Sequence, residues 1–245
     1  GNDLTGSILA GPLALSLGQY HFESDGWRDN ADQTQDIYNG MLQWQVTTTT
    51  QLQLEYRTLD WDRGDLAPRW DGKQSRMLFD NQERETARFS LTHRFDPANA
   101  LAVSYVTQQF DNDQAETQPD FLGRYRLDQQ PETWEVQGVH KASTWRWVYG
   151  AGRTDVDIDS SLAINLSLFD DSGLPTYIAI DINTAEDTRQ QQDDVYAYSY
   201  WSPVDDVLVE LGITYTDLAL QGDSAINTIT TVEIPLLMLP SWTLT

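Results

Sequence analysis

The connections between segments constrain this chain more than any single motif. Stretches of about ten residues alternate apolar and polar side chains, the period-2 mark of β-strands. Between them, short and long connections follow one another strictly. The short ones are Gly11-Pro12 and residues 47–50, 96–100, 141–143 and 202–206; the long ones are 24–36, 62–85, 111–132 and 156–194. In an antiparallel meander every second connection lies at the same end of the sheet. All short turns therefore gather at one end and all long connections at the other. No stretch keeps a 3.6-residue period over three turns, so helices are not expected.

The alternation assigns faces within each stretch. Tyr38, Gly40, Leu42, Trp44 and Val46 share one face, and Asn39, Met41, Gln43 and Gln45 the other. Leu52, Leu54 and Tyr56 oppose Gln53, Glu55 and Arg57, and Ala87, Phe89, Leu91 and His93 oppose Arg88, Ser90, Thr92 and Arg94. Trp134 and Val136 alternate with Glu135 and Gln137, Trp145 and Trp147 with Arg146, and Val209, Leu211, Ile213 and Tyr215 with Glu210. Near Gly18 the parity slips, since Leu13, Leu15 and Leu17 differ in phase from Tyr20 and Phe22, which points to a β-bulge. A last stretch, 229–239, contains Pro235, an awkward residue for a central strand.

Composition decides which face meets water. The apolar face holds Tyr38, Trp44, Tyr56, Trp134, Trp145, Trp147, Trp201 and Tyr215, more large rings than a small closed interior accommodates. Many lie near strand ends, where aromatic girdles meet lipid headgroups. The opposite face mixes charges of both signs: Glu55, Arg57, Arg88, Arg94, Glu135, Arg146 and Glu210. Such a face suits a water-filled lumen, in which rings of charge set ion preference or brace the wall. Soluble Greek-key sandwiches have no reason to sort short and long connections to opposite ends; outer-membrane barrels do. The expected fold is all-β, an antiparallel up-and-down transmembrane β-barrel of about ten to twelve strands forming a single domain over residues 1–245, with long acidic loops at one end.

Asp and Glu number 38 against 15 Lys and Arg, a formal charge of −23, which excludes nucleic acid as a partner. Cysteine is absent, so thiolate chemistry and Cys-ligated metals are excluded too. Aromatic residues make up 11% of the chain, too many for a disordered acidic tail. Gly1 to Leu4 carry no recognisable signal-peptide region. The acids of the long connections suggest divalent-cation binding at a lipopolysaccharide surface, or attraction of cations toward a pore. Asp155, Asp157 and Asp159 have the opening spacing of a calcium loop, yet Ser160 and Leu166 stand where an EF-hand has Gly and Glu. Arg63-Gly64-Asp65 spells an adhesive tripeptide, and Asn165-Leu166-Ser167 a glycosylation acceptor. His21, His93 and His140 lack the neighbours of a metalloprotease or deaminase motif, and no nucleophile elbow or phosphate loop occurs. A hydrolytic site would fall on His140 with Ser143.

The stretch from Gln51 through Arg57, with Arg63-Gly64-Asp65-Leu66, Arg69-Trp70-Asp71 and residues 83–95, resembles the barrel region of Gram-negative outer-membrane proteins. In style it is similar to the porin-like barrels of tetratricopeptide-repeat outer-membrane proteins and to the barrels of TonB-dependent receptors. The chain lacks the helical repeats and the plug of those families and ends in Ser241-Trp242-Thr243-Leu244-Thr245 without a terminal aromatic, which suggests a shortened barrel or part of a larger one. The resemblance implies residence in the outer membrane and contact with lipid and lipopolysaccharide. It implies passive passage or export of a hydrophilic solute without a cofactor, and a periplasmic or plug partner. A soluble β-sandwich that stacks sugars on exposed Trp, and a barrel-borne hydrolase, are the alternatives.

Overall fold

The computed structural model describes residues 1–66, 77–118, 121–169, 177–204, 207–221 and 227–233. They form one antiparallel sheet whose strands lie side by side in chain order. The strands are β1 (Asn2–Ala10), β2 (Leu13–Ser24), β3 (Gln33–Gln45), β4 (Thr50–Arg63), β5 (Met77–Arg94), β6 (Asn99–Gln118), β7 (Phe121–Lys141), β8 (Trp145–Phe169), β9 (Tyr177–Val204), β10 (Val207–Gln221) and β11 (Asn227–Glu233). Among the described residues β1 pairs with β2 alone and β11 with β10 alone. In lipid those two outer edges need partners for their backbone groups. No helix is long and apolar enough to cross a membrane, which says nothing of strands.

The short turns are built from local chemistry. Gly11 takes φ of 58° and Pro12 supplies a fixed negative φ behind it, the pattern of a type II′ hairpin turn. In the 95–99 turn the Asp96 carboxylate accepts from the Ala98 and Asn99 amides at 2.7 and 2.9 Å. Thr47 Oγ1 likewise accepts from the Thr49 and Thr50 amides. These side chains tie up backbone donors that tight turns leave unpaired.

The long connections differ from expectation. The segment 111–132 is not a loop: β6 and β7 stay paired to Gln118 and Phe121. The segment 156–194 is likewise mostly ladder between β8 and β9. At about 3.3 Å per residue the 25 residues of β8 span roughly 80 Å, far beyond the 9–11 residues that cross a bilayer. Outside the apolar zone no lipid enforces an apolar face, so these extensions carry acids and glutamines and read as loops. Pro131 adds to the disguise. It offers no N–H, and the β6–β7 register is interrupted opposite it, between Thr107↔Glu132 and Phe110↔Gln129. Asp120, Asp170, Asp171, the Arg69-Trp70-Asp71 motif, Pro235 and the C-terminal pentapeptide lie outside the described residues.

The bulge expected at Gly18 does not form. The ladder runs unbroken through Thr5↔Gly18 and Gly18↔Asn39. Gly18 instead leaves room for Asn39, whose side-chain oxygen would stand 2.1 Å from an added Cβ. The apparent slip arises because Tyr20 and Phe22 lie beyond the apolar zone and point to the other face.

The soluble sandwich is overturned by packing. There is one layer, and among the described residues Ala31 alone is a buried hydrophobic side chain. Trp134, Tyr149 and Tyr38 keep 53%, 52% and 51% of their surface exposed. A water-soluble chain would not leave a continuous band of rings uncovered.

Tyrosine rings lie over glycines paired with them on the neighbouring strand. Gly138 pairs with Tyr149, Gly150 with Tyr196 and Gly212 with Tyr198. A Cβ on Gly150 would meet Tyr196 Oη at 2.5 Å and the Val136 carbonyl at 2.7 Å. Tyr196 could yield only by leaving Glu135, to which its hydroxyl donates at 2.5 Å, and Gln137, from which it accepts at 2.9 Å. Gly150→Val is expected to destabilise the folded protein by about 1–3 kcal/mol in urea titrations in lipid vesicles.

Candidate functional site

The register sorts the side chains that the sequence singles out. Directly paired residues share a face, so the ladder carries one parity across all strands. Tyr38, Trp44, Tyr56, Trp134, Trp145, Trp147, Trp201 and Tyr215 fall on one face. Glu55, Arg57, Arg88, Arg94, Glu135, Arg146 and Glu210 fall on the other. Toward the short turns the ring face closes in a stack, with Trp145 centroids 5.2 Å from Trp201 and 5.7 Å from Trp147. Tyr105 and Trp134 meet at 4.2 Å farther along the strands.

Beyond the rings, the same face turns acidic in a way no single strand reveals. The ladder pairs His21 with Asp36, Asp36 with Asp60, Asp60 with Glu83 and Glu83 with Asp111. It goes on through Asp128 and Asp159 to Asp187. One carboxylate from each of β3 to β9 thus joins a single cross-strand row. On β7 the row lies six residues beyond Trp134, roughly 20 Å along the strand and outside the apolar zone. His21 Nδ1 stands 2.8 Å from Asp36 Oδ1 at its end.

Like charges in one row shift protonation. A hydrogen bond shared with Asp187 holds the Asp159 carboxyl above its ordinary range, helped by partial desolvation. Burial raises Asp128, and the neighbouring Asp111 charge adds to it. Burial also raises Asp60, with Asp62 and Asp36 adding to it. The folded state therefore holds these protons more tightly than the unfolded chain, so stability falls as pH rises from about 3.9, the unfolded value, through the raised folded values. Asp113 opposes this: its hydrogen bond to Arg124 lowers its pKa, and that contribution is lost only at lower pH. Amide exchange in the β6–β9 extensions is expected to slow as pH falls from neutrality toward 4, after correction for intrinsic exchange rates.

The opposite face carries a concave site of about 550 Å³ on β2 to β6. Arg57, Arg84 and Arg88 line it together with Glu55, Asn39 and Gln108. Arg88 Nη1 lies 3.2 Å from Glu55 Oε2. Glu55 Oε1 accepts from Gln53 Nε2 at 3.2 Å. Arg84 sits 5.0 Å over the Phe110 ring. Of the charge pairs expected along this wall, Arg88–Glu55 is therefore made. Arg146 stacks on Tyr200 at 4.2 Å, the residue that separates it from Glu210 in the ladder. Glu135 is held by Tyr196. Arg94 lies by the 47–50 turn, where its amide donates to the Thr49 carbonyl.

The structure places three further sequence candidates. Asp155, Asp157 and Asp159 alternate along β8, so extended backbone separates them instead of folding them around one point. Arg153 and Arg189 lie against Asp155 and Asp157. Among the described residues no group of three or more His, Asp or Glu side chains is arranged to hold a metal ion. His140 Nδ1 lies 2.6 Å from Asn99 Oδ1, and no hydrogen bond joins it to Ser143 among the described residues, so the hydrolytic pair is not assembled. Arg63-Gly64-Asp65 does not present itself for adhesion. Arg63 is engaged by Asp80, and Asp65, 1% exposed, is paired with Arg28 at 3.2 Å.

Arg84 fell within the connection expected over 62–85, but β5 begins at Met77 and places it on a strand. Parity carried the missing signal, because in Glu83-Arg84-Glu85 the acids lie on the ring face and the cation on the charged face.

No protein-family model matches the chain, and no curated protein does. Solved structures do. The ferripyoverdine receptor of the outer membrane of Pseudomonas aeruginosa superimposes with a TM-score of 0.73 at 14% identity, over 94% of this chain and 36% of that one. The sheet has the fold of part of that receptor's barrel wall. The siderophore receptor PiuA from Acinetobacter baumannii gives 0.66 at 14% identity, over 93% and 42%. The ferric yersiniabactin uptake receptor FyuA from Yersinia pestis gives 0.69 at 12%, over 94% and 39%. The chain spans well under half the length of these receptors, and at such identities the likeness is one of fold.

Proposed function

We propose that the chain forms barrel wall in the bacterial outer membrane and serves transport of a hydrophilic solute along its charged face. The observation that carries this is the sorting of rings to one face and ionic groups to the other across the sheet. Rings facing lipid and ions facing water is the arrangement of a membrane barrel, the reverse of a soluble one. Receptor barrels have walls that superimpose on this sheet, and the proposal follows them.

Free passage, as the sequence suggests, needs an open lumen; uptake of a bound solute needs a site on the wall. The concave site of Arg57, Arg84 and Arg88 favours the second. Lipid and lipopolysaccharide are the proposed partners of the ring face and of the acid row above it, with divalent cations bridging acid to lipid phosphate. A plug-like partner is proposed for the lumen.

The full chain is expected to be monodisperse in detergent and to aggregate when detergent is withdrawn. A monodisperse protein at high concentration in plain buffer would overturn the membrane reading. Planar-bilayer recording then separates the two modes: steady conductance supports free passage, whereas a silent bilayer with saturable solute binding supports receptor-type uptake.

A further inference from the structure

The wall sorts charge by sign as well as by polarity. At the level of β4 and β5, Asp60, Glu83 and Glu85 point outward while Arg57, Arg84 and Arg88 point inward. A chain with 15 cations against 38 acids thus places three cations in one concavity with a single carboxylate, Glu55. The register sets Arg57 opposite Thr86, midway between Arg84 and Arg88, so its Cα lies roughly 7–8 Å from each. Across the ladder Arg57 meets Asn39 and Thr86, and Arg84 meets Leu59 and Phe110, all neutral. Among the described residues Arg57 makes no hydrogen bond or ion pair, and Arg84 no ion pair. Wall-bracing arginines would each have a cross-strand acid, as Arg88 has in Glu55.

We propose that Arg57, Arg84 and Arg88 form a binding site for a solute bearing clustered oxyanions, carboxylate or phosphate. The inference rests on the transport reading, whose solute class it names. Guanidinium groups donate in a planar fork that matches both kinds of oxyanion. Asn39 and Gln108 add neutral amide donors, and about 550 Å³ suits a solute of small-molecule size. Glu55 holds Arg88 at 3.2 Å and competes with the anion for it.

The test is calorimetric titration of the full chain in a zwitterionic detergent with inorganic pyrophosphate, tricarballylate and, as a neutral control, sucrose. Saturable binding of one or both anions that weakens with added salt is expected, with none for sucrose. Arg57→Gln and Arg84→Gln should each weaken binding about tenfold or more. Glu55→Gln, which frees Arg88, should tighten it. Arg94→Gln, on the same face near the short turns, should leave it unchanged. Stronger pyrophosphate binding would assign a phosphate-bearing solute, and stronger tricarballylate binding a polycarboxylate. Equal response to sucrose, or unchanged affinity in both Arg57→Gln and Arg84→Gln, would overturn the site. Membrane insertion is scored separately: a chain that inserts in vesicles but ignores both anions refutes this site and leaves the transport reading standing. A chain that binds them yet stays soluble without detergent refutes the transport reading.

Discussion

Leu54→Arg should prevent stable assembly in lipid vesicles, whereas Gln53→Arg, one residue away, should leave assembly intact. Leu54 lies on the ring face with 49% of its surface exposed, between Leu52 and Tyr56 and beside Leu42 and Phe89 across the ladder. An Arg at the bilayer midplane of a barrel costs about 2–4 kcal/mol, a factor of roughly 30 to 800 in the folding equilibrium. That is a large part of the 5–15 kcal/mol typical of a folded protein. Gln53 lies on the charged face, where Glu55 and Arg88 already stand. Urea titration of folding in vesicles reads the difference. Equal cost at both positions would mean the two faces see the same medium.

The second large effect belongs to the rim. Residues 24–32 fold back on the end of β4, with the Gly64 amide donating to Asp32 O at 2.9 Å and the Asp65 amide to Asn30 O at 2.7 Å. Arg28 and Asp65 meet there with side chains 7% and 1% exposed. Gly26 turns the segment with φ of 71°, and an added Cβ would meet the Ala31 carbonyl oxygen at 2.0 Å. Removing one partner of a buried pair strands the other, at about 3–5 kcal/mol. Asp65→Ala is therefore expected to release the segment: trypsin should cleave after Arg28 rapidly in the variant and slowly in the wild type. Pairing it with Arg28→Met and probing by amide exchange at Gly64 should restore much of the protection, because the orphaned charge is gone. Unchanged cleavage in Asp65→Ala would mean the rim is held by other contacts.

Faces were legible in the sequence because apolar and ionic side chains alternate residue by residue within each strand. Tyr38 and Asn39, or Leu54 and Glu55, declare their sides without any structure. Strand ends were not legible. Past the apolar zone both faces meet water, so Asp155, Asp157 and Arg189 carry no parity signal, and Pro131 argued against a strand that nevertheless forms. The acid row was hidden for another reason: Asp36, Asp60, Glu83, Asp111, Asp128, Asp159 and Asp187 come together only through register. Register also made the arginine site, since Arg84 joins Arg57 across β4 and β5. The buried Arg28–Asp65 pair joins a turn to a strand end 37 residues away, a contact no local pattern encodes.

The chain contains no cysteine, so single cysteines placed along β4 can each carry one spin label. Collision with oxygen, which concentrates in lipid, and with a water-soluble nickel chelate would be measured at each residue from 51 to 57 in bilayers. Oxygen should dominate at positions 52, 54 and 56, and the chelate at 53, 55 and 57. The opposite phase, or no alternation, would contradict the assignment of lipid and water to the two faces of the wall.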